Sequence, residues 1–169
     1  MAIGLQTIHD PPAQSIGRGY PLSVFYDAVK RLRKEGIEVI VHTILGLPGE
    51  SNEDILATME YLNQMDIQGI ELQLLHVLRG TDLAADYEEG MFQTYERDEY
   101  LSLLIECLEQ LHPDIVIHRI TGDGPKDLLI APLWASRKRE VLNLLHHRMK
   151  EQQSFQGRLY KTAPDSNKQ

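Results

Sequence analysis

The stretch IEVIVHTILGLPGE, residues 37–50, decides the fold of this chain. Its first nine residues are rich in β-branched side chains and almost continuously apolar, which is typical of a strand buried on both faces of a parallel sheet. A Gly-Leu-Pro-Gly turn then breaks the strand. Ser51, followed three residues later by Asp54, predicts that a helix begins directly after the turn.

The same order of strand, loop and helix repeats along the chain. Residue patterns predict further strands at residues 3–7, 70–77 and 115–121, a Pro- and Gly-rich loop at residues 8–20, and helices at residues 22–35, 51–65, 81–90, 96–111 and 136–151. Such alternation indicates right-handed βαβ units. We therefore predict an α/β fold with a parallel sheet of about four βα units over residues 1–151, and a polar, disordered tail at residues 152–169.

Composition restricts the class of protein. With 169 residues, of which 42% are hydrophobic, the chain can form one domain with a buried core. Its net charge of −8 argues against a general nucleic-acid or anionic-membrane surface. No apolar run reaches about 18 residues, so no membrane span is predicted, and residues 1–4 do not resemble a signal peptide. The single cysteine, Cys107, excludes an internal disulfide framework and favours a cytoplasmic location.

Polar side chains and glycines cluster where the first two strands end. Gln6 and Thr7 offer an amide and a hydroxyl that suit a ligand with ribose and carboxylate groups, or that brace the loop. Arg18 follows Gln6 by twelve residues, and its guanidinium can return to the same pocket and bind a carboxylate. Gly46 and Gly49 allow a tight turn and close approach to a ligand. Because α/β folds bind ligands at the carboxyl ends of their strands, these residues predict one binding site.

Two later positions are candidates for chemistry. Asp123, Lys126 and Asp127 place two carboxylates and an ammonium around a tight turn, where they can bind a polar substrate, transfer a proton or form a salt-bridged turn. His76, at the end of the third strand, can contact a substrate or bond a loop. The scattered histidines and carboxylates do not have the spacing of a metal site, so none is predicted.

The segments at residues 4–7 and 46–50 resemble the fourth and fifth strand ends of the radical S-adenosylmethionine barrel, in the subgroup of coproporphyrinogen dehydrogenase and the Elp-type enzymes. This resemblance implies that Gln6 and Arg18 contact the methionyl part of S-adenosylmethionine. The relatives often have an Asp at the position of His42, where it contacts ribose, and an imidazole can also hydrogen-bond a hydroxyl.

The segments at residues 74–81 and 120–132 are similar to a narrower group, the YhcC/YtqA-like radical S-adenosylmethionine proteins. The resemblance implies that residues 1–151 form the C-terminal half of a partial TIM-like barrel. In such oxidoreductases a [4Fe–4S] cluster on three cysteines cleaves S-adenosylmethionine reductively, and the resulting radical abstracts a hydrogen atom from a substrate. Cys107 alone cannot hold that cluster, so we expect no cluster and no activity in this chain by itself.

Two other functions remain open on the sequence alone. One is a stand-alone α/β ligand-binding or scaffolding domain without redox chemistry. The other is a metal-independent enzyme that uses Asp123, Lys126 and Asp127. In the isolated fragment, residues 3–7 would be an open sheet edge, and Val39, Val41 and Leu72 or their neighbours would line an uncovered face. Those surfaces predict a homodimer.

Overall fold

A computed structural model describes residues 1–122 and 124–161 of the chain. The strands are β1 (Ala2–Gln6), β2 (Ile40–Leu45), β3 (Gly69–Leu74), β4 (Val77–Leu78), β5 (Val116–Arg119) and β6 (Leu129–Ala131). The helices are α1 (Asp10–Ser15), α2 (Leu22–Lys34), α3 (Asn52–Asn63), α4 (Asp82–Glu88), α5 (Arg97–Gln110) and α6 (Lys138–Glu151). Four parallel strands form a sheet in the order β1-β2-β3-β5, which confirms the predicted α/β class.

The structure contains elements that the sequence patterns did not predict. Helix α1 lies within the predicted loop at residues 8–20, and it tolerates Pro11 and Pro12 because they occupy its first turn, where no backbone donor is needed. The predicted strand at residues 70–77 is divided. Strand β3 ends at Leu74, and β4 then pairs antiparallel with β6 in a separate two-stranded sheet.

The four-stranded sheet has one buried face and one open face. Along β2 the side chains alternate between partly exposed and buried, so the prediction of burial on both faces is wrong. Val39, Val41 and Leu72 are fully buried in the core that the sheet shares with α2, α3, α5 and α6, so these three residues do not line the uncovered face. Because side chains alternate along a strand, the open face presents their neighbours instead.

The segment after α6 packs on the end of α5. The backbone amides of Gly157 and Leu159 donate to the carbonyls of Leu108 and Glu109, at 3.0 and 2.8 Å. Arg158 also forms an ion pair with the buried Glu109 carboxylate, its Nε lying 2.7 Å from Oε1. These bonds hold residues 157–159, which belong to the predicted polar tail, against the end of α5. The rest of that tail, residues 162–169, lies outside the described residues.

None of the helices in the described part of the chain is long and apolar enough to span a membrane.

Candidate functional site

The end of β1 has an unusual backbone geometry at Gln6. Its φ angle of +67° lies in the left-handed region, which non-glycine residues seldom adopt. The amide of Thr7 donates to the carbonyl of Leu5 at 2.9 Å, so Gln6 is the central residue of a γ-turn. The pairing of β1 with β2 shifts register between Gly4 and Gln6. Backbone strain of this kind is concentrated at functional sites.

Arg18 is placed beneath this turn and is bound to protein groups. Its Nη1 donates to the carbonyls of Leu5 and Thr7 at 2.9 and 2.6 Å, and its Nε donates to the carbonyl of Tyr20 at 3.0 Å. Nη2 forms an ion pair with Asp10. The Arg18 side chain is only 2% exposed. The donors of Arg18 thus bond three backbone carbonyls and the Asp10 carboxylate, and its role as a ligand of a bound carboxylate stays a prediction.

Thr7 connects the loops that follow β1 and β2. Its hydroxyl donates to Glu50, the last residue of the Gly-Leu-Pro-Gly-Glu segment, and accepts from the amide of His9 at 3.0 Å. Burial raises the pKa of the Glu50 carboxyl, and the hydrogen bond from Thr7 offsets this only in part. Glu50 Oε2 is buried and has no hydrogen-bond partner among the described residues. Thr7 therefore links the two loops, and its contact with a cofactor stays a prediction.

The loop after β2 is shaped by its two glycines. Gly46 and Gly49 have φ angles of +92° and +84°, in the left-handed region that favours glycine. A side-chain carbon added to Gly46 would lie 3.1 Å from the ring of Tyr95, whereas Gly49 faces open space. The capping box predicted from Ser51 is present, because Ser51 and Asp54 exchange side-chain to backbone bonds at the start of α3. This loop thus brings its backbone to the strand ends without bulky side chains.

A polar network crosses the open face of the sheet. Register pairs His42 with Glu71 across β2 and β3, and Glu71 with Arg119 of β5. Glu71 accepts a hydrogen bond from Gln73 at 2.9 Å and lies 3.6 Å from both His42 Nε2 and Arg119 Nε. His42 Nε2 is buried and has no hydrogen-bond partner in the described ranges. An apolar parallel strand would not have these groups, so this face is suited to a polar ligand.

His76 and the Gly-Asp-Gly-Pro-Lys-Asp segment meet at the end of β3. A side-chain carbon added to Gly122 would lie 2.6 Å from the His76 ring, so only glycine permits this contact. Lys126 and Asp127 are exposed on a 3-10 turn that leads into β6. Asp123 lies outside the described residues. The structure therefore places Lys126 and Asp127 on the surface, and their part in chemistry stays a prediction.

A cleft of about 540 Å³ lies at the carboxyl ends of the strands. Each of the loops after β1, β2 and β3 contributes a wall, through Gly17, Pro48 and His76 respectively. The start of α4 closes the remaining side with Thr81 and Asp82. A second groove, of about 430 Å³, follows residues 46–50 and is also lined by Pro48. These are the positions at which α/β folds bind small molecules.

The two cofactors implied by the resemblance fit this chain differently. The amide of Gln6, the buried Nε2 of His42 and the backbone at Gly46 and Gly49 offer groups that suit S-adenosylmethionine. A [4Fe–4S] cluster does not fit, because Cys107 is fully buried in α5 and burial raises the pKa of its thiol to about 12. No group of three metal-binding side chains occurs among the described residues.

Sequence reasoning missed two parts of the site. The sequence pattern indicated Glu50 only as the residue that ends a turn. Its hydrogen bond with Thr7 joins two loops, and no local pattern predicts such a contact. Glu71 and Arg119 were missed as well. The alternation of polar and apolar residues in β3, where Glu71 and Gln73 flank Leu72, was the signal that could have identified the open face.

Comparison with known proteins shows matches along most of the chain. The Radical_SAM C-terminal domain family matches residues 67–151, and the Radical SAM superfamily matches residues 1–62. The chain is 38% identical to YtqA of Bacillus subtilis (strain 168) over 165 residues, which cover 98% of this chain and 51% of YtqA. It is 31% identical to YhcC of Escherichia coli (strain K12) over 138 residues, which cover 82% of this chain and 45% of YhcC. The chain thus spans about half the length of these relatives.

A solved structure shares the fold. The archaeal Methanocaldococcus infernus Elp3 with an N-terminal deletion matches 92% of this chain and 36% of its own, with a TM-score of 0.78 and 18% identity. This likeness agrees with the predicted partial TIM-like barrel. The family models and the relatives confirm the predicted resemblance, and the chain belongs to the radical S-adenosylmethionine superfamily.

Proposed function

We propose that this chain is the S-adenosylmethionine-binding C-terminal half of an oxidoreductase that cleaves S-adenosylmethionine reductively and abstracts a hydrogen atom from a substrate. The observation that carries the proposal is the geometry at the ends of β1 and β2. Gln6 is held in a left-handed turn there, and the buried His42 Nε2 has no hydrogen-bond partner among the described residues. A ligand with several polar groups would hydrogen-bond both the side-chain amide of Gln6 and Nε2 of His42.

The residues have separate roles in this proposal. The Gln6 amide hydrogen-bonds the methionyl part of the ligand, and His42 bonds a ribose hydroxyl. The backbone at Gly46 and Gly49 approaches the ligand closely, since neither residue has a side chain. Glu71 orients His42 from the neighbouring strand, their closest atoms being 3.6 Å apart. The chain by itself is inactive, because Cys107 cannot supply the thiolates of an electron-donating cluster.

Calorimetry with S-adenosylmethionine tests the binding proposal. We expect the chain to bind this ligand, and we expect Gln6→Ala and His42→Ala to weaken binding about tenfold each through loss of a hydrogen bond. Gln64→Ala is the matched control, because Gln64 is exposed at the far end of α3. Absence of binding, or equal effects of all three substitutions, would contradict the proposal.

The redox half of the proposal needs a separate test. After anaerobic treatment with iron and sulfide, we expect this chain to show no cluster absorption and to release no 5′-deoxyadenosine with a strong reductant. A longer polypeptide with a cysteine triad before residue 3 is expected to do both. A cluster on this chain that disappears in Cys107→Ala would contradict the proposal. Binding without a triad upstream would favour the stand-alone ligand-binding domain.

A further inference from the structure

We propose that His118 and Arg119, at the end of β5, form an anion-binding pair on the open face of the sheet, and that this pair takes a phosphate or carboxylate group of the substrate. That the bound molecule is the substrate rests on the proposed function. The binding of an anion is tested without S-adenosylmethionine.

A bulge in β5 places two consecutive side chains on one face of the sheet. Ile70 of β3 pairs with Ile117, and Glu71 pairs with Arg119, so His118 is an extra residue between the two pairs. In a regular strand His118 and Arg119 would point to opposite faces. Here Nε of Arg119 lies 3.6 Å from Oε2 of Glu71 on the open face, and the His118 ring lies on the same face. Bulges are frequent beside active sites, where they redirect a side chain.

Gly69 of β3 leaves the space for the His118 ring. It pairs with Ile40 of β2, whose partly exposed side chain lies on the open face. A side-chain carbon added to Gly69 would lie 2.5 Å from His118 Nε2 and 3.3 Å from the Ile40 side chain. The φ angle of Gly69 is not positive, so its backbone conformation does not require glycine. The missing side chain is needed because the imidazole lies directly over this position.

The pair presents hydrogen-bond donors to the open face. His118 is exposed, and its ring has no hydrogen-bond or ion-pair partner among the described residues. The Arg119 side chain is 38% exposed, and the 3.6 Å between its Nε and Glu71 is too long for a hydrogen bond. Anionic oxygens accept hydrogen bonds from the N–H groups of imidazole and guanidinium. The ligand class that fits the pair is therefore a phosphate or a carboxylate.

The position of the pair separates it from the anionic part of S-adenosylmethionine. Adjacent strands lie about 4.8 Å apart, so the bulge in β5 lies about 10 Å from His42 of β2, with β3 between them. In the proposed function Gln6 binds the methionyl part from β1, on the other side of β2. The adenosine that extends away from Gln6 has no anionic oxygen. An anion bound by His118 and Arg119 therefore belongs to a second molecule on the same face, as a substrate would.

Nuclear magnetic resonance of the His118 ring tests anion binding, with inorganic phosphate and acetate as probes at neutral pH and constant ionic strength. We expect one or both anions to shift the His118 signals saturably, with a dissociation constant in the millimolar range, and to leave those of His147 on exposed α6 without a saturable shift. Arg119→Gln should weaken binding about tenfold. The control Arg137→Gln removes the same charge at a residue that is 72% exposed and should leave binding unchanged. Absence of saturation with both anions, or equal effects of the two substitutions, would overturn the inference.

Affinity for S-adenosylmethionine separates a substrate contact from a cofactor contact. We expect His118→Ala and Arg119→Gln to leave this affinity unchanged, because the pair lies about 10 Å from His42. A tenfold loss in either variant would place the pair in the cofactor site and would overturn the inference. If the natural chain binds an anion at His118 but does not bind S-adenosylmethionine, the proposed function fails and the anion-binding pair stands.

A thermal-melt cycle tests the placement of the His118 ring without any ligand. We expect Gly69→Ala to lower the melting temperature of the natural chain, because the added methyl group meets the imidazole. In the His118→Ala background the same substitution should cost much less, because the ring is absent. Equal decreases in the two backgrounds would show that the ring does not lie over Gly69 and would overturn the inference.

Discussion

The hydroxyl of Thr7 donates a hydrogen bond to the carboxylate of Glu50, although the two residues are 43 positions apart in the chain. This bond joins the loop after β1 to the loop after β2, and both loops border the candidate site. It therefore adds to the pairing of β1 with β2 a direct connection between the two loops. Three properties of this region lead to testable predictions.

Removal of the Thr7 hydroxyl should destabilise the protein. Thr7→Val keeps the shape of the side chain but leaves the partly buried Glu50 without its donor, which costs about 1–3 kcal/mol of unfolding free energy. Urea unfolding followed by circular dichroism measures the change. Thr7→Ser is the control, because it keeps the hydroxyl, and its unfolding free energy should lie close to that of the natural chain. An equal loss in both variants would mean that the Thr7 methyl group, not the hydrogen bond, supplies the stability.

Glu50 should make stability depend on pH in a defined direction. Burial raises its folded-state pKa above the usual value of 4.5, so the folded chain holds this proton more tightly than the unfolded chain. The contribution of Glu50 is therefore fully present below pH 4.5 and declines as the pH rises through the raised pKa. Glu50→Gln removes this dependence. We therefore expect the unfolding free energy of the natural chain, minus that of Glu50→Gln, to fall as the pH rises from 4.5 through the raised pKa. A difference that stays constant with pH would contradict the prediction.

The two glycines of the loop after β2 should differ in their tolerance of a side chain. Both have positive φ, so alanine at either position costs about 1–2 kcal/mol of backbone strain. At Gly46 the new methyl group would also press on the Tyr95 ring, whereas Gly49 faces open space. We expect Gly46→Ala to lower the melting temperature more than Gly49→Ala. Tyr95→Ala should reduce the difference between them, and identical melting temperatures for the two single variants would refute this account.

Local patterns were sufficient for the four strands of the parallel sheet and the longer helices, but not for the site. The apolar stretch before Gly46 and the helical spacing of residues 22–35 predicted β2 and α2 because their signals lie within one element. The identity of the open face was left undecided between the side chains of Val39, Val41 and Leu72 and those of their neighbours. It depends on which side of the sheet α2, α3, α5 and α6 pack, and that is decided by contacts between elements. The partners of Arg18 are likewise distant carbonyls, and no spacing rule distinguishes them from a ligand carboxylate.

The segment after α6 should be released by loss of one ion pair. The hydrogen bond from Arg158 holds the pKa of Glu109 below its usual value, although burial of Glu109 opposes it. We expect Arg158→Gln to increase the rate of hydrogen exchange at the amides of Gly157 and Leu159. The control is Arg139→Gln, at an exposed position of α6, which should leave that rate unchanged. The stability from Glu109 is present above pH 4.5 and is lost as the pH falls through its lowered pKa, so acid should mimic the variant. Unchanged exchange in Arg158→Gln would show that the backbone bonds alone fix the segment.

The isolated chain should self-associate through the edge of β1. Strand β1 is the first strand of the sheet, and on its outer side no strand pairs with it among the described residues. The open face is polar, with His42, Glu71 and Gln73, so pairing at the strand edge is the remaining drive for association. Light scattering at micromolar concentration should give a mass above 19.3 kDa that decreases on dilution. A lysine at a sheet edge opposes pairing, so Ala2→Lys should shift the chain toward the monomer. The control is Ala85→Lys, which adds the same charge at an exposed position of α4 and should not change the mass. A monomer mass for the natural chain, or equal effects of both lysines, would refute association through β1.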